Sequence, residues 1–214
     1  MIQFIEIILA IDSFSLLLPK NRNDMRKVLM IVLALMLSVV ASAQNAEKLY
    51  KEGKELYDAK KYSAAVPKLK AAAEKGHKKA QYRLGICYDK GKGVTENDDL
   101  AFQWYSKSAA QGYAKAQYQL GMCYKNGEGV KEDRKKAVDL FMKAAKQENG
   151  NAQYQLSKAY LKGKGVPADE AKAKMWIKKA VKNEKDGDEI LDKLKKDAAE
   201  GVQDAIKLLE LSKK

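Results

Sequence analysis

The chain contains very little histidine and cysteine, and this scarcity limits the chemistry that it can perform. His77 is the only histidine among 214 residues, and Cys87 and Cys123 are the only cysteines. One histidine and two separated cysteines cannot complete a zinc site. Nothing in the sequence places His77 beside a serine or cysteine nucleophile, as a catalytic triad would require. We therefore predict no catalytic residues, no metal site and no cofactor.

A ten-residue segment occurs three times at a constant spacing. It spans Gly85–Val94, Gly121–Val130 and Ser157–Val166, so that successive copies begin 36 residues apart. A fixed period of this length is typical of stacked helical repeats.

Each copy contains residues that suit the end of one helix and the start of the next. A first glycine is predicted to adopt the left-handed conformation that ends a helix, and a second glycine lets the chain reverse. A side chain that accepts hydrogen bonds from the amides of a new helix follows. The unit is therefore predicted to be helix, glycine turn, helix. The first glycines are Gly91, Gly127 and Gly163, the second are Gly93, Gly129 and Gly165, and the N-caps are Asn97, Asp133 and Asp169.

These repeated residues resemble the Sel1-like repeat, a longer-looped relative of the tetratricopeptide repeat. The resemblance rests on the pattern AQYxLG at Ala80–Gly85 and Ala116–Gly121, on the Gly-x-Gly-Val turns, and on WYxKxAA at Trp104–Ala110. It implies an all-α fold, a right-handed superhelical solenoid of antiparallel helix pairs. It also implies a non-catalytic protein–protein interaction scaffold or adaptor, because the family consists mostly of binding proteins.

The repeat domain is predicted to span residues 44–214. Its opening unit resembles an ordinary tetratricopeptide unit, because Gly53 precedes Gly85 by 32 residues and no Gly-x-Gly-Val turn follows it. Terminal units of a stacked array differ from the inner ones because one face lacks a neighbour. The predicted parts are a capping unit at 46–77, Sel1-like repeats at 78–113, 114–149 and 150–185, and capping helices at 186–214.

The residues before the repeats have the pattern of a secretory signal peptide at 25–43. Basic residues follow Met25, an apolar run extends from Val28 to Val40, and a small-x-small site ends at Ala43. We predict cleavage between Ala43 and Gln44, a secreted or periplasmic location and no stable membrane insertion afterwards. An uncleaved membrane anchor is the alternative. Residues 1–24 are predicted to be an upstream extension of a protein whose translation starts at Met25.

The two cysteines are predicted to remain free. An even cysteine count in an exported chain is typical of a disulfide, but Cys87 and Cys123 occupy equivalent positions in adjacent repeats. Equivalent points on stacked helices lie about 8–10 Å apart or more, whereas a disulfide joins Cα atoms within about 7 Å. Ala159 fills the third equivalent position, which indicates a place for a small apolar side chain.

The apolar spacing predicts which residues face the core. Leu84 and its equivalents lie on one face of the first helix. On the second helix, Trp104 and Trp176 belong to the apolar stripe, and we predict core positions for both rather than a role in stacking on a ligand. Gly85 and Gly121 are expected to let the partner helix approach closely.

The resemblance implies that the first helix of each pair lines a concave groove, where four equivalent tyrosines and several lysines recur. Tyrosine provides a large contact area with a polar tip, and lysine attracts acidic partners. We predict that a monomeric protein binds a protein or peptide partner there, acidic in character, and no nucleic acid. The alternative, left open by the sequence, is that the tyrosines pack between neighbouring repeats. The predicted partner-binding residues are Tyr50, Tyr82, Tyr118, Tyr154, Lys79, Lys115, Lys90, Lys125 and Lys162.

The formal net charge of +13 permits a second function. An envelope protein could hold an anionic glycan or lipid through its lysine-rich surface, and salt would then weaken binding strongly. Lysine is also the ordinary solvated residue on the outer faces of helical repeats. A hydrolase is the least favoured function, because no acid beside a nucleophile is evident.

Overall fold

The structure, a computed structural model, describes residues 22–213 of the chain. Over this range the chain forms ten α-helices and no β-strand, so the fold is an all-α repeat solenoid. The helices are α1 (Arg22–Asp58), α2 (Tyr62–Glu74), α3 (Lys78–Asp89), α4 (Asp98–Ala110), α5 (Ala114–Asn126), α6 (Arg134–Ala145), α7 (Gly150–Lys162), α8 (Glu170–Val181), α9 (Gly187–Ala199) and α10 (Gln203–Lys213).

The chain divides into two compact units, Met1–Asn45 and Ala46–Lys214. In the first unit, the described part is the N-terminal portion of α1, where apolar side chains such as Leu29 and Leu37 are exposed. By length and composition α1 could cross a membrane, a test that a signal sequence near the N-terminus also passes. The predicted upstream extension lies outside the described residues, apart from its last three.

The second unit contains helix pairs that stack on one another. Helix α3 packs with α4, α5 with α6 and α7 with α8, and each second helix also packs against the first helix that follows it. Four clusters of buried apolar residues extend through the unit, and all of their members lie between Leu49 and Leu211. The unit Ala46–Lys214 therefore has a hydrophobic core of its own.

The predicted helix caps and glycine turns are confirmed. The Oδ1 atom of Asn97 accepts a hydrogen bond from the amide of Leu100 at 2.8 Å, and Asp133 and Asp169 cap α6 and α8 in the same way. Each cap satisfies one amide that has no partner within its helix. The six turn glycines all have positive φ values, between 60° and 80°.

The second glycine of each turn has an additional role that the sequence analysis missed. A Cβ atom built on Gly93 would lie 2.5 Å from the carbonyl carbon of Tyr62, the first residue of α2. Gly129 and Gly165 meet the carbonyls of Asp98 and Arg134, the first residues of α4 and α6, in the same manner. Each turn thus rests on the start of the preceding second helix, and only glycine leaves the necessary space.

In the first Sel1-like repeat, the buried aromatic residue of the second helix lies one residue later than predicted. Trp104 is half-buried, whereas Tyr105 is 1% exposed and its ring lies directly over Gly85. Phe141 covers Gly121 likewise, so the predicted close approach at these glycines is confirmed. The prediction of a core position was correct for Trp176, which is 7% exposed.

Buried glutamines connect the repeats through a series of hydrogen bonds. A glutamine near the start of each first helix donates its side-chain amide to the backbone carbonyl eight residues earlier, at 3.1–3.4 Å. Its own side-chain oxygen accepts a hydrogen bond from a glutamine that follows the next second helix. The donors to these oxygens are Gln111, which bonds Gln81 at 2.7 Å, and Gln147, which bonds Gln117 at 2.8 Å.

This series ends in the third repeat. The position equivalent to Gln111 and Gln147 is Asn183, whose shorter side chain donates to the carbonyl of Glu148 instead. Within the described residues, the side-chain oxygen of Gln153 therefore has no hydrogen-bond partner.

Candidate functional site

The two middle tyrosines of the predicted stripe are half-buried and contact other aromatic rings. The ring centre of Tyr82 lies 5.3 Å from that of Tyr113 and 6.0 Å from that of Tyr105, and Tyr118 lies 5.9 Å from Phe141. Burial raises the pKa of Tyr82 to about 12 and also raises the pKa of Tyr118. These rings take part in packing, while a portion of each stays accessible.

The two outer tyrosines are buried. Tyr50 is 8% exposed and stacks on His77 with ring centres 4.4 Å apart. Tyr154 is 4% exposed, lies in the cluster that joins α8, α9 and α10, and has its pKa raised to about 12 by burial. All four tyrosines thus make contacts within the fold, and their contribution to partner binding stays a prediction.

The predicted lysines lie at the two ends of the first helices. Lys79 and Lys115 are exposed near the starts of α3 and α5, whereas Lys90, Lys125 and Lys162 lie at the other ends. A helix of 13 residues, the length of α5, is about 20 Å long. The lysines at the two helix ends therefore cannot contact the same side chain of a partner. Of the five, Lys125 and Lys162 are brought together and line one cleft.

His77 serves the start of α3. Its Nδ1 atom accepts a hydrogen bond from the amide of Ala80 at 3.1 Å, and its Nε2 atom lies 2.8 Å from a carboxylate oxygen of Glu47. Both ring nitrogens are therefore engaged in structural contacts. This arrangement agrees with a capping role.

A basic cleft lies between α5 and α7, with α6 as its floor. Its cavity volume is about 250 Å³. Buried apolar side chains form the floor, and cations from α5, α6, α7 and the following turn form the rim. The floor consists of Ala137, Val138, Phe141 and Ala159, and the rim cations are Lys125, Arg134, Lys158, Lys162 and Lys164.

The environment of two lysines in the basic cleft disfavours their charged ammonium form. Burial lowers the pKa of Lys125 and of Lys158, and neighbouring cations lower both further. The ammonium of Lys125 donates to the side-chain oxygen of Gln155 at 3.1 Å, and that of Lys158 lies 5.4 Å from the ring centre of Tyr154. Neither lysine forms a salt bridge with another residue of the described range.

Three of the five rim positions carry the opposite charge one repeat earlier. Burial raises the pKa of the Cys123 thiol to about 12, and the negative charges of these three acids contribute to this shift. The fold therefore accepts either charge at these positions. Asp89, Asp98 and Glu128 stand 36 residues before Lys125, Arg134 and Lys164.

The repeats match a known family model. The model, described as the Sel1 repeat, matches residues 78–113, 114–149 and 150–184, which together make up half of the chain. The chain belongs to the Sel1 repeat family. Proteins of this family are generally protein-interaction scaffolds.

Two solved structures with Sel1 repeats are similar to the chain. One is a Sel1 repeat protein from Oxalobacter formigenes, with 36% sequence identity, a TM-score of 0.61, and coverage of 64% of this chain and 56% of the other. The second is c5321, a protective antigen of uropathogenic Escherichia coli strains that displays an SLR fold. It has 30% identity and a TM-score of 0.66, with coverage of 83% of this chain and 40% of the other.

This chain thus covers little more than half of the first structure's length and less than half of the second's. No match to a curated protein was found.

The cysteines of the first two Sel1 repeats are buried and free. Burial raises the pKa of Cys87 to about 11, so the reactive thiolate is disfavoured at both cysteines. Among the residues from 22 to 213, no group of three or more histidine, cysteine, aspartate or glutamate side chains has the geometry of a metal site.

Proposed function

We propose that the protein is an exported, non-catalytic scaffold of the cell envelope that binds an acidic partner protein on the surface formed by α3, α5 and α7. The predicted signal sequence at 25–43 supports export, because the exposed apolar part of α1 has the composition of such a segment. After cleavage between Ala43 and Gln44, the compact unit from Ala46 onward would be released.

Comparison of the three repeats with each other supports the location of the binding surface. Three buried positions of the first helices are identical in all three repeats, namely Ala80, Gln81 and Leu84 and their equivalents. By contrast, three other positions of these helices vary, two of them in every repeat and one between the first repeat and the other two, although all of their side chains are half-buried. The first of these positions holds Arg83, Gln119 and Gln155, the second Ile86, Met122 and Lys158, and the third Asp89, Lys125 and Leu161.

This difference between recurring and variable positions is the main support for the proposed binding surface. Residues that the fold requires recur at the period of the fold, because each repeat makes the same contacts with its neighbour. Half-buried residues that change charge and size from repeat to repeat are not required by that common packing, although the apolar ones, such as Ile86 and Met122, pack against the core. They suit a ligand whose side chains differ along the groove.

Site-specific photocrosslinking in the native host tests the location. A benzophenone amino acid is placed at Gln119 or at Gln155 in the whole chain, and matched controls carry it at Gln103 and Asp139. The control positions are exposed on α4 and α6, and they are also 36 residues apart. We expect the two cleft positions to capture the same protein and the control positions to capture none. Equal capture at all four positions would contradict the proposed surface.

The tyrosine stripe is tested by removing hydroxyl groups alone. Changing Tyr82 and Tyr118 to phenylalanine keeps the ring contacts, so the variant retains its packing. If the hydroxyls contact the partner, capture from Gln119 falls while the unfolding midpoint is unchanged. Undiminished capture would assign these tyrosines to packing alone.

A second candidate function, binding of an anionic glycan or lipid, has support from another lysine cluster. Four lysines line a depression of about 610 Å³ at the end of α8, together with Glu148, Asn183 and Glu184. Binding through exposed lysines is screened by salt, so capture of envelope glycan or vesicles would disappear at moderate ionic strength. The four are Lys178, Lys179, Lys182 and Lys185.

A further inference from the structure

The basic cleft contains cations that the fold leaves without a counter-ion. We propose that it is a specific site for an acidic segment of the partner, in which an apolar side chain occupies the floor and flanking carboxylates contact Lys125 and Lys158. This inference rests on the proposed function and names the chemistry of the ligand. Nothing in the family match assigns a ligand to this cleft.

Electrostatic repulsion within the cleft favours an anionic ligand. Half-buried ammonium groups lose hydration, and placing several of them together adds repulsion. Lys125 is affected by Lys158, Arg134, Lys164 and Lys193, and Lys158 by Lys162 and Lys193. The acids Asp197 and Asp204 act on Lys158 in the opposite direction, but they do not cancel the effect of burial and of the cations. A carboxylate that enters the cleft would neutralise this charge.

Two other cations of the rim already have acidic partners within the fold. Lys162 pairs with Asp204, and Arg134 pairs with Glu132 at 2.5 Å. Their charges are thus already compensated within the described part of the chain, and Lys164 is exposed to solvent, whereas Lys125 and Lys158 are half-buried without an ion pair there. A ligand carboxylate therefore forms its most favourable interactions with these two lysines. They lie on the two helices that face each other across the cleft.

The floor of the cleft is apolar and almost completely buried. Val138 and Phe141 are 5% and 2% exposed, and Ala159 is 9% exposed. An apolar surface at the base of a cavity favours a side chain such as leucine, since burial of apolar area is favourable. A compact inorganic anion would meet the rim but leave the floor unused. The floor and rim together fit a peptide in which acidic residues flank an apolar one.

Fluorescence anisotropy with synthetic peptides tests the site. The protein is the whole chain, expressed with its N-terminal segment and purified in the form that the cell accumulates. The probe is a fluorescein-labelled peptide, Gly-Glu-Glu-Leu-Glu-Glu-Gly. One control peptide replaces every Glu by Gln, and a second replaces Leu by Ala. We expect the first control to bind at least tenfold more weakly and the second about fivefold more weakly.

Variants of the protein locate the interaction. Lys158→Met introduces the residue that the preceding repeat has at this position, Met122, so the fold tolerates it. Lys143→Met is the matched control, because Lys143 is exposed on α6 and does not line the cleft. We expect K158M to weaken peptide binding about tenfold and K143M to change it less than twofold. Equal affinity of K158M and the parent protein would overturn the assignment.

A charge-reversal variant provides a second, independent measurement. Lys125→Asp combined with Arg134→Asp installs the charges found one repeat earlier, at Asp89 and Asp98. This variant should no longer bind the acidic peptide, while its far-ultraviolet circular dichroism remains that of the parent protein. Peptide binding that survives the double reversal would also contradict the proposal.

Competition distinguishes an acidic segment from other anions. Tripolyphosphate and heparin should displace the peptide only at concentrations above that of unlabelled peptide. If either displaces it more effectively, the cleft is a general anion site and the inference is wrong. Capture of a protein by Gln119 and Gln155 together with failure of the peptide to bind would leave the proposed function intact and refute this site.

Discussion

The contact between Gly121 and Phe141 permits a quantitative test of how helices pack within a repeat. A Cβ atom built on Gly121 would lie 2.6 Å from Cε1 and 2.8 Å from Cδ1 of Phe141. Carbon atoms in contact prefer separations of about 3.5–4.0 Å, so a side chain here requires a displacement of about 1 Å. Phe141 is only 2% exposed, so the side chains packed around it restrict its movement.

We expect Gly121→Ser to destabilise the protein by about 1–2 kcal/mol. Overpacking of a core costs about 1–3 kcal/mol, and the higher helix propensity of serine returns about 0.5 kcal/mol. The new hydroxyl should find a partner, because Ser157 at the equivalent position donates to the carbonyl of Tyr154 at 2.7 Å. The cost therefore arises from the collision with Phe141 and not from an unsatisfied polar group.

The third repeat supplies the compensating change. It has Ser157 and Ile177 where the second repeat has Gly121 and Phe141. Phe141→Ile alone should cost about 1–2 kcal/mol through the cavity that it leaves, while the double variant should lose less than the sum. We expect a coupling free energy of about 1–2 kcal/mol in a double-mutant cycle, measured by urea unfolding. Additive effects, or a single G121S variant as stable as the parent, would refute the packing argument.

Three further predictions concern single features of the repeats. Gln111→Ala should cost about 1–2 kcal/mol in thermal or urea unfolding although Gln111 is exposed, because it leaves the buried acceptor of Gln81 without a donor. Asp133→Ala should cost about 1 kcal/mol in the same assay through loss of the α6 cap. Cys87 and Cys123, whose pKa values burial raises to about 11 and about 12, should resist a thiol reagent at pH 8 in the native protein. Both should react once the protein is unfolded in urea.

The helix boundaries could be predicted from the sequence because their determinants are local. An N-cap such as Asp133 bonds an amide three residues away, and a glycine such as Gly127 acts through its own backbone conformation. Repetition of the same residues at a period of 36 strengthened each prediction. No knowledge of distant contacts was needed.

The buried face of the second helix was harder to predict. Trp104 and Tyr105 are adjacent aromatic residues, and an apolar stripe can include either of them without a change in period. Which of the two rings is buried depends on the opposing helix, where Gly85 leaves space for the ring of Tyr105. A cue existed, because the sequence has an aromatic residue at both 105 and 141 and a glycine opposite each. The hydrogen-bonded glutamines were missed for a related reason, since Gln111 and Gln81 are 30 residues apart.

The basic cleft was predicted only in part. Lys125 and Lys162 were expected at the binding surface, but Lys158 and Arg134 were not. The cleft combines residues from two repeats, and its lysines look in the sequence like the many others that are solvated. The inversion of charge relative to Asp89 and its neighbours is visible at the 36-residue offset, but its meaning depends on knowing that these positions line a cleft.

Lys158 indicates that the positive charge of the cleft has a function other than stabilising the fold. The equivalent position holds methionine in one repeat and isoleucine in another, so the packing accepts an uncharged side chain there. The lowered pKa of Lys158 means that the folded state disfavours its ammonium form, and K158M should therefore unfold at an equal or higher temperature than the parent protein. A residue that lowers stability without a structural need is typical of a functional site. This pattern agrees with the proposed role of the lysine, which is to meet a negative charge carried by another molecule.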